Sequence, residues 1–216
     1  MLDCPLIDGI SELQPERTVK TVAPVLQHLR AVTGASHKSL EDRMPFMRPE
    51  LDLALYIRLI RAYYGFYAPL EQLIAGVSQI DRQRQKVPAL VRDLTALGLS
   101  AAQIEALPRC NDLPTINNPH QLLGARYVIE GATLGGQVLR RVIKDKLGIE
   151  ADSGAEFLDV YGRDTGPLWK AFLKQLAEAE DPQYHAQIVE AACETFDCFQ
   201  RWLENAQVLT ARHCPL

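Results

Sequence analysis

The chain has 216 residues, 47% of them hydrophobic and 23% charged, with a formal net charge of −4. This balance fits one globular domain with a substantial core and gives no reason to expect general nucleic-acid affinity. No apolar run approaches the roughly 18–20 residues that cross a bilayer, Met1–Ile10 does not read as a signal peptide, and no hydrophobic tail suggests an anchor; a cytoplasmic protein without membrane partners is expected.

In chain order, residues 1–17 read as an N-terminal extension, 18–206 as the domain and 207–216 as a tail. Val19 to Arg43 has helical patterning, with Leu26, Thr33, His37 and Met44 near one face, until Pro45 and Pro49 stop it. Leu51 to Ala75 is strongly apolar, with Tyr56, Ile60, Tyr63, Tyr64 and Tyr67 at helical spacing and Pro69 as a point where it could kink. Asp81 to Leu97 is amphipathic and Gly98 follows as a C-terminal cap. Ser100 to Leu107 reads as a short turn. Asn118 caps the next helix ahead of Pro119. Gly154–Tyr161, Pro167–Glu180 and Pro182–Asn205 complete an all-α set with no convincing strand run. The five cysteines are an odd number with no CxxC pair, so reduced thiols are expected rather than disulfides or a zinc site.

The helix after Pro119 contains Gly131-Ala132-Thr133-Leu134-Gly135-Gly136. Three interior glycines weaken a helix by about 2–3 kcal/mol before packing is counted. Such a cluster suggests a bend, or a flat body that approaches the backbone closely; on the glycines alone, close helix–helix packing is an equal alternative.

The stretch Arg126 to Leu139, through this glycine cluster, resembles the distal helix of heme oxygenases. A second stretch, Leu29-Arg30-Ala31-Val32-Thr33-Gly34-Ala35-Ser36-His37-Lys38-Ser39-Leu40-Glu41, resembles the family's proximal helix, whose histidine is the axial iron ligand. The matching position is His37. The resemblance covers about residues 20–205, and the glycine motif is most similar to that of bacterial enzymes that supply biliverdin to bacterial phytochromes. It implies a single-domain helical bundle with a glycine-kinked distal helix and heme as both cofactor and substrate. It also implies biliverdin, carbon monoxide and ferrous iron as products, with electrons from an external reductase or ferredoxin; no GxGxxG element is present, so the chain is not expected to bind a nicotinamide or flavin of its own.

Residue by residue, the resemblance places His37 on the iron. It places the backbone at Gly131, Gly135 and Gly136 close over the opposite heme face, where it would admit and steer oxygen. Lys170 and Lys174, one helical turn apart, match basic residues that hold the propionates. Arg126 and Tyr127 fall near the heme rim. Phe196, Phe199 and Trp202 are candidate pocket walls or plain core. Many family members carry an Asp after the first glycine of the motif, which organises a proton-feeding water network; this chain has Ala132 there. Glu130 should point to another face, and the Thr133 hydroxyl is a candidate to order water. The departure leaves two other functions open: a heme carrier or sensor without turnover, and a helical interaction protein in which the glycines only pack helices.

Overall fold

A computed structural model describes residues 23–78, 81–179 and 181–211. Residues 1–17 and the second half of the tail, 212–216, therefore lie outside the described residues, as does the first part of the helix expected from Val19. Among the described residues there are eight α-helices and no strand: α1 (Pro24–Arg43), α2 (Leu53–Val77), α3 (Val87–Ala96), α4 (Ala101–Glu105), α5 (Pro119–Gly131), α6 (Gly136–Leu147), α7 (Thr165–Glu178) and α8 (Pro182–Asn205).

Local chemistry sets most of the boundaries. Asp52 accepts from the Leu55 amide, Asn118 from the amides of His120 and Gln121, and Ser100 forms a reciprocal capping box with Gln103. Gly98 (φ +95°) and Gly148 (φ +69°) take up the left-handed backbone that ends α3 and α6. Pro69 does not break α2, which runs on to Val77. The expected helix from Asp81 is instead a 3₁₀ turn at Arg82–Arg84 followed by α3, because Pro88 favours the first turn of a new helix. The 154–161 segment is not an α-helix but holds a 3₁₀ turn at Phe157–Asp159, and another 3₁₀ turn, Ala151–Ser153, precedes it.

Two apolar clusters form the interior. The larger gathers α2, α3 and the 104–116 connection with Ile143, Leu158 and Leu203. The smaller joins Val25, Leu26 and Leu29 of α1 to Val128, Phe172, Leu176, Ile188 and Phe196. Helix α5 lies against α8 at Gly124, where a Cβ would sit 2.1 Å from the Ile188 carbonyl oxygen. The residues after α8 also pack: Val208 is buried and the Thr210 amide donates to the Arg43 carbonyl. The structured body therefore runs past residue 206.

Candidate functional site

The glycine cluster is where the fold departs from regular helix. Helix α5 ends at Gly131, residues Ala132–Gly135 tighten into a 3₁₀ turn, and α6 begins at Gly136. None of the three glycines takes a positive φ, so the absence of a side chain is what each contributes. A Cβ on Gly131 would meet only the Trp169 ring, at 3.8 Å, and one on Gly135 would meet nothing within 4 Å. A Cβ on Gly136 would lie 1.6 Å from the Leu158 carbonyl oxygen. Gly136 thus lets the 157–159 turn press against the start of α6. This corrects the sequence-based expectation that it faces a flat ligand.

Facing the break is a cavity of about 410 Å³ at the seam between the two apolar clusters. One wall is α1, with Arg30, Thr33, Gly34, His37 and Leu40; the opposite wall is Tyr127, Val128, Gly131, Ala132 and Leu134. Tyr63, Phe66 and Tyr67 of α2, Trp169 of α7, and Phe196 and Phe199 of α8 close the remaining sides. The His37 side chain is 65% exposed, its ring edge-on to Phe196 with centroids 6.1 Å apart, and Nδ1 is 4.0 Å from a Glu41 carboxylate oxygen. It is one of the residues that line this cleft. Thr33, one turn earlier, is buried and donates back to the Leu29 carbonyl, which satisfies its hydroxyl within the helix.

The cavity brings together His37, Tyr127 and Gly131 from the set expected by sequence, with Phe196 and Phe199. It does not bring in the rest. Lys170 and Lys174 lie on the exposed side of α7 and do not line it. Arg126 is half-buried on another face, among Glu130, Arg84 and Tyr161; burial lowers its pKa, against the pull of Glu130. Thr133 donates to the Glu130 carbonyl. Trp202 turns the other way and donates to the Ala62 carbonyl. Arg30, Tyr63 and Tyr67 line the cavity but were not singled out as site residues. Arg30 stands seven residues, two helical turns, before His37, a spacing that could have found it.

Glu130 does not line the cavity; it is buried on another face, where it is the centre of an ionic cluster. Its carboxylate accepts from Lys86 Nζ at 2.9 Å, from Arg84 at 2.7 Å and from the Tyr161 hydroxyl at 3.1 Å. Lys86 is 1% exposed, and all three of its ammonium hydrogens are engaged, by Glu130, Tyr161 and the Arg84 carbonyl. Burial lowers the Lys86 pKa against the pull of Glu130. The same burial raises Glu71, which accepts from the Lys86 and Val87 amides at the start of α3.

An imidazole facing a side-chain-poor helix break across an apolar, aromatic-walled cleft is the arrangement a planar, metal-bearing ring would need. A sequence profile of heme oxygenases matches residues 23–205. Three solved structures share the fold. The NO- and CO-bound heme oxygenase of Neisseria meningitidis is 22% identical, with a TM-score of 0.64 over 87% of this chain and 94% of that one. Heme oxygenase-1 of the cyanobacterium Synechocystis, in complex with heme, is 16% identical, with a TM-score of 0.65 over 84% and 91%. The heme oxygenase of Leptospira interrogans is 20% identical, with a TM-score of 0.61 over 84% and 98%. No curated protein matches the chain in sequence. The chain belongs to the heme oxygenase family, heme-degrading oxidoreductases of all-α fold. Among the described residues, no helix is long and apolar enough to cross a membrane.

Proposed function

We propose that the chain cleaves heme with O₂ and external electrons to biliverdin, carbon monoxide and ferrous iron, in the cavity between α1 and the 131–135 break. The observation that carries this reading is the pairing of His37 with Gly131 and Ala132 across one cleft. The lining fits heme: the cavity is within the usual size range of small-molecule sites, a neutral imidazole suits iron, and aromatic rings can stack on the macrocycle. Heme itself supplies the redox chemistry of oxygen activation.

The protein's part is placement. His37 holds one face. Gly131 and Ala132 project almost nothing toward the other, leaving room for a small diatomic ligand. Tyr127, Trp169, Phe196 and Phe199 exclude bulk water from the ring plane. Gly135 and Gly136 act indirectly, by letting the break form and α6 seat on the 157–159 turn. Arg30, at the cavity wall, is the cation we assign to a propionate, with Lys170 and Lys174 outside it on α7. A ferredoxin or flavoprotein reductase is the proposed donor, a bacterial phytochrome the proposed recipient of biliverdin, and the cytoplasm the proposed compartment.

The test is a heme titration followed by a reductant with catalase present. Loss of the Soret band and growth of a biliverdin absorption are expected. A heme complex that persists intact under these conditions would support the carrier reading, which the Ala132 side chain in the cavity wall favours.

A further inference from the structure

Helix α2 borders the heme cavity with Tyr63, Phe66 and Tyr67. At helical spacing Arg58, Arg61 and Ala62 fall on its other side. There they line a second groove of about 400 Å³, close to the 410 Å³ of the heme cavity. Its apolar lining is Ala62, Leu107 and Trp202, and Arg58, Arg61 and Asn205 supply the polar groups. A further hollow of about 270 Å³ shares Arg61 and Leu107 with it. Neither lining contains an Asp or Glu, in a chain whose net charge is −4. Neither contains a His, Cys or Met, so nothing there ligates iron.

The groove is built rather than left over. A Cβ on Gly65 would lie 2.6 Å from both the Pro108 carbonyl oxygen and the Trp202 ring. The missing side chain lets the 107–110 connection and α8 close on α2. The Cys110 amide donates to the Gly65 carbonyl at 2.9 Å, and Trp202 Nε1 donates to the Ala62 carbonyl at 2.7 Å. The indole is thereby fixed in orientation. Arg58 and Arg61 are exposed and make no ion pair or hydrogen bond among the described residues. No acidic residue stands three or four positions from either on α2. Two like charges one turn apart repel, and an anion between them removes that repulsion. Arg109 is not free to serve, because it donates to the Tyr64 hydroxyl and the Leu107 carbonyl.

We infer that this groove is a second ligand site, which takes a metal-free, open-chain tetrapyrrole dicarboxylate, the class to which the proposed product belongs. The two guanidinium groups pair with the two carboxylates. The Trp202 ring and the apolar lining take the conjugated body. The Asn205 amide offers a donor and an acceptor to a lactam end. Intact heme carries the same carboxylates but finds no ligand for its iron, so the groove favours product over substrate. The chain then keeps hold of the product after it leaves the heme cavity, on the far side of α2, while the cavity is refilled. This inference rests on the heme oxygenase reading of the large cavity.

The test fills the heme cavity with zinc protoporphyrin, which is not turned over, and titrates the filled protein with biliverdin. Binding is read by equilibrium dialysis and by the circular dichroism induced in the biliverdin absorption. One equivalent should bind. Arg58→Glu/Arg61→Glu should weaken it at least about tenfold, the loss of one or more charge-assisted contacts. Arg141→Glu/Arg163→Glu, which reverses two exposed arginines outside the groove, should leave it within about twofold. Biliverdin dimethyl ester, which lacks the free carboxylates, should bind at least about tenfold more weakly than biliverdin. If the filled protein binds no biliverdin, or if the Arg58/Arg61 reversal leaves the affinity unchanged, the proposal fails. Displacement of biliverdin by an equal concentration of oleate would make the groove a general carboxylate site and overturn the tetrapyrrole assignment. Should the double reversal not fold, Arg58→Gln/Arg61→Gln takes its place. Protein that takes up neither zinc protoporphyrin nor heme would sink the functional reading instead, and the same arginine variants would still decide the groove in unfilled protein.

Discussion

Gly136→Ala is expected to destabilise the protein with no heme present. The added Cβ would lie 1.6 Å from the Leu158 carbonyl oxygen and 2.8 Å from its carbonyl carbon. Ordinary van der Waals contact starts near 3.4 Å, so the two backbones must separate by well over 1 Å. Neither side is a flexible side-chain end. Overpacking of this kind costs typically 1–3 kcal/mol, and backbone against backbone puts this position at the upper end, about 3 kcal/mol. For a chain of this length that is a fall of about 6–12 °C in melting temperature. Gly135→Ala is the matched control. Its Cβ meets nothing within 4 Å and its φ is −82°, so the change is neutral or stabilising by up to about 1 kcal/mol through helix propensity. Urea unfolding of the heme-free variants, followed by circular dichroism, measures both. If Gly136→Ala lies within 0.5 kcal/mol of wild type, or if its loss appears only in heme binding, the packing argument is wrong.

Three further outcomes are expected. His37→Ala should abolish turnover and alter the ferric spectrum, with added imidazole restoring part of both; a wild-type spectrum in the variant would remove His37 from the iron. Arg30→Ala should weaken heme binding more than the Lys170→Ala/Lys174→Ala pair does, because Arg30 lines the cavity and the lysines do not; the reverse order in a heme titration, with a changed biliverdin isomer pattern in the lysine variant alone, would put the propionates at α7. Asp93 is buried and accepts from the Glu156 and Phe157 amides, and burial pushes its pKa up to about 6. A carboxyl raised above its unfolded value near 3.9 adds stability below that value and loses it as pH rises through 6, by about 3 kcal/mol in all. The stability difference between wild type and Asp93→Asn should therefore move against wild type between pH 4 and pH 7; a constant difference across that window would contradict it.

What was legible in the sequence follows interaction range. Asn118-Pro119, Gly98 and Pro182 are local signals, and the helices they bound lie close to where patterning puts them. His37 and Gly131 were legible because their motifs are compact, and the fold sets them across one cavity. Gly136 was misread because a glycine needed for close approach has the same sequence signature whether the neighbour is a ligand or the Leu158 carbonyl, 22 residues on. The Lys86–Glu130–Tyr161 cluster spans 75 residues of chain, and no periodicity announces such a meeting. The tyrosines of α2 carried the opposite problem. Their spacing marked a buried face correctly, but burial alone could not say that Tyr63 and Tyr67 would line the cavity.

The seat of the large cavity, at the seam between two separate apolar clusters, has a consequence for the protein's life cycle. A molecule lodged there acts as a keystone, completing the contact between the α1/α8 half and the α2/α3 half. By mass action such a ligand adds about 2.7 kcal/mol of stability at a hundred times its dissociation constant. On the proposed function the keystone is also what the enzyme destroys. Each turnover removes the piece that braces the arch, so thermal protection decays with the reaction. Melting temperature should be highest in the resting heme complex and should fall, under reductant and oxygen, in step with the disappearance of the Soret band.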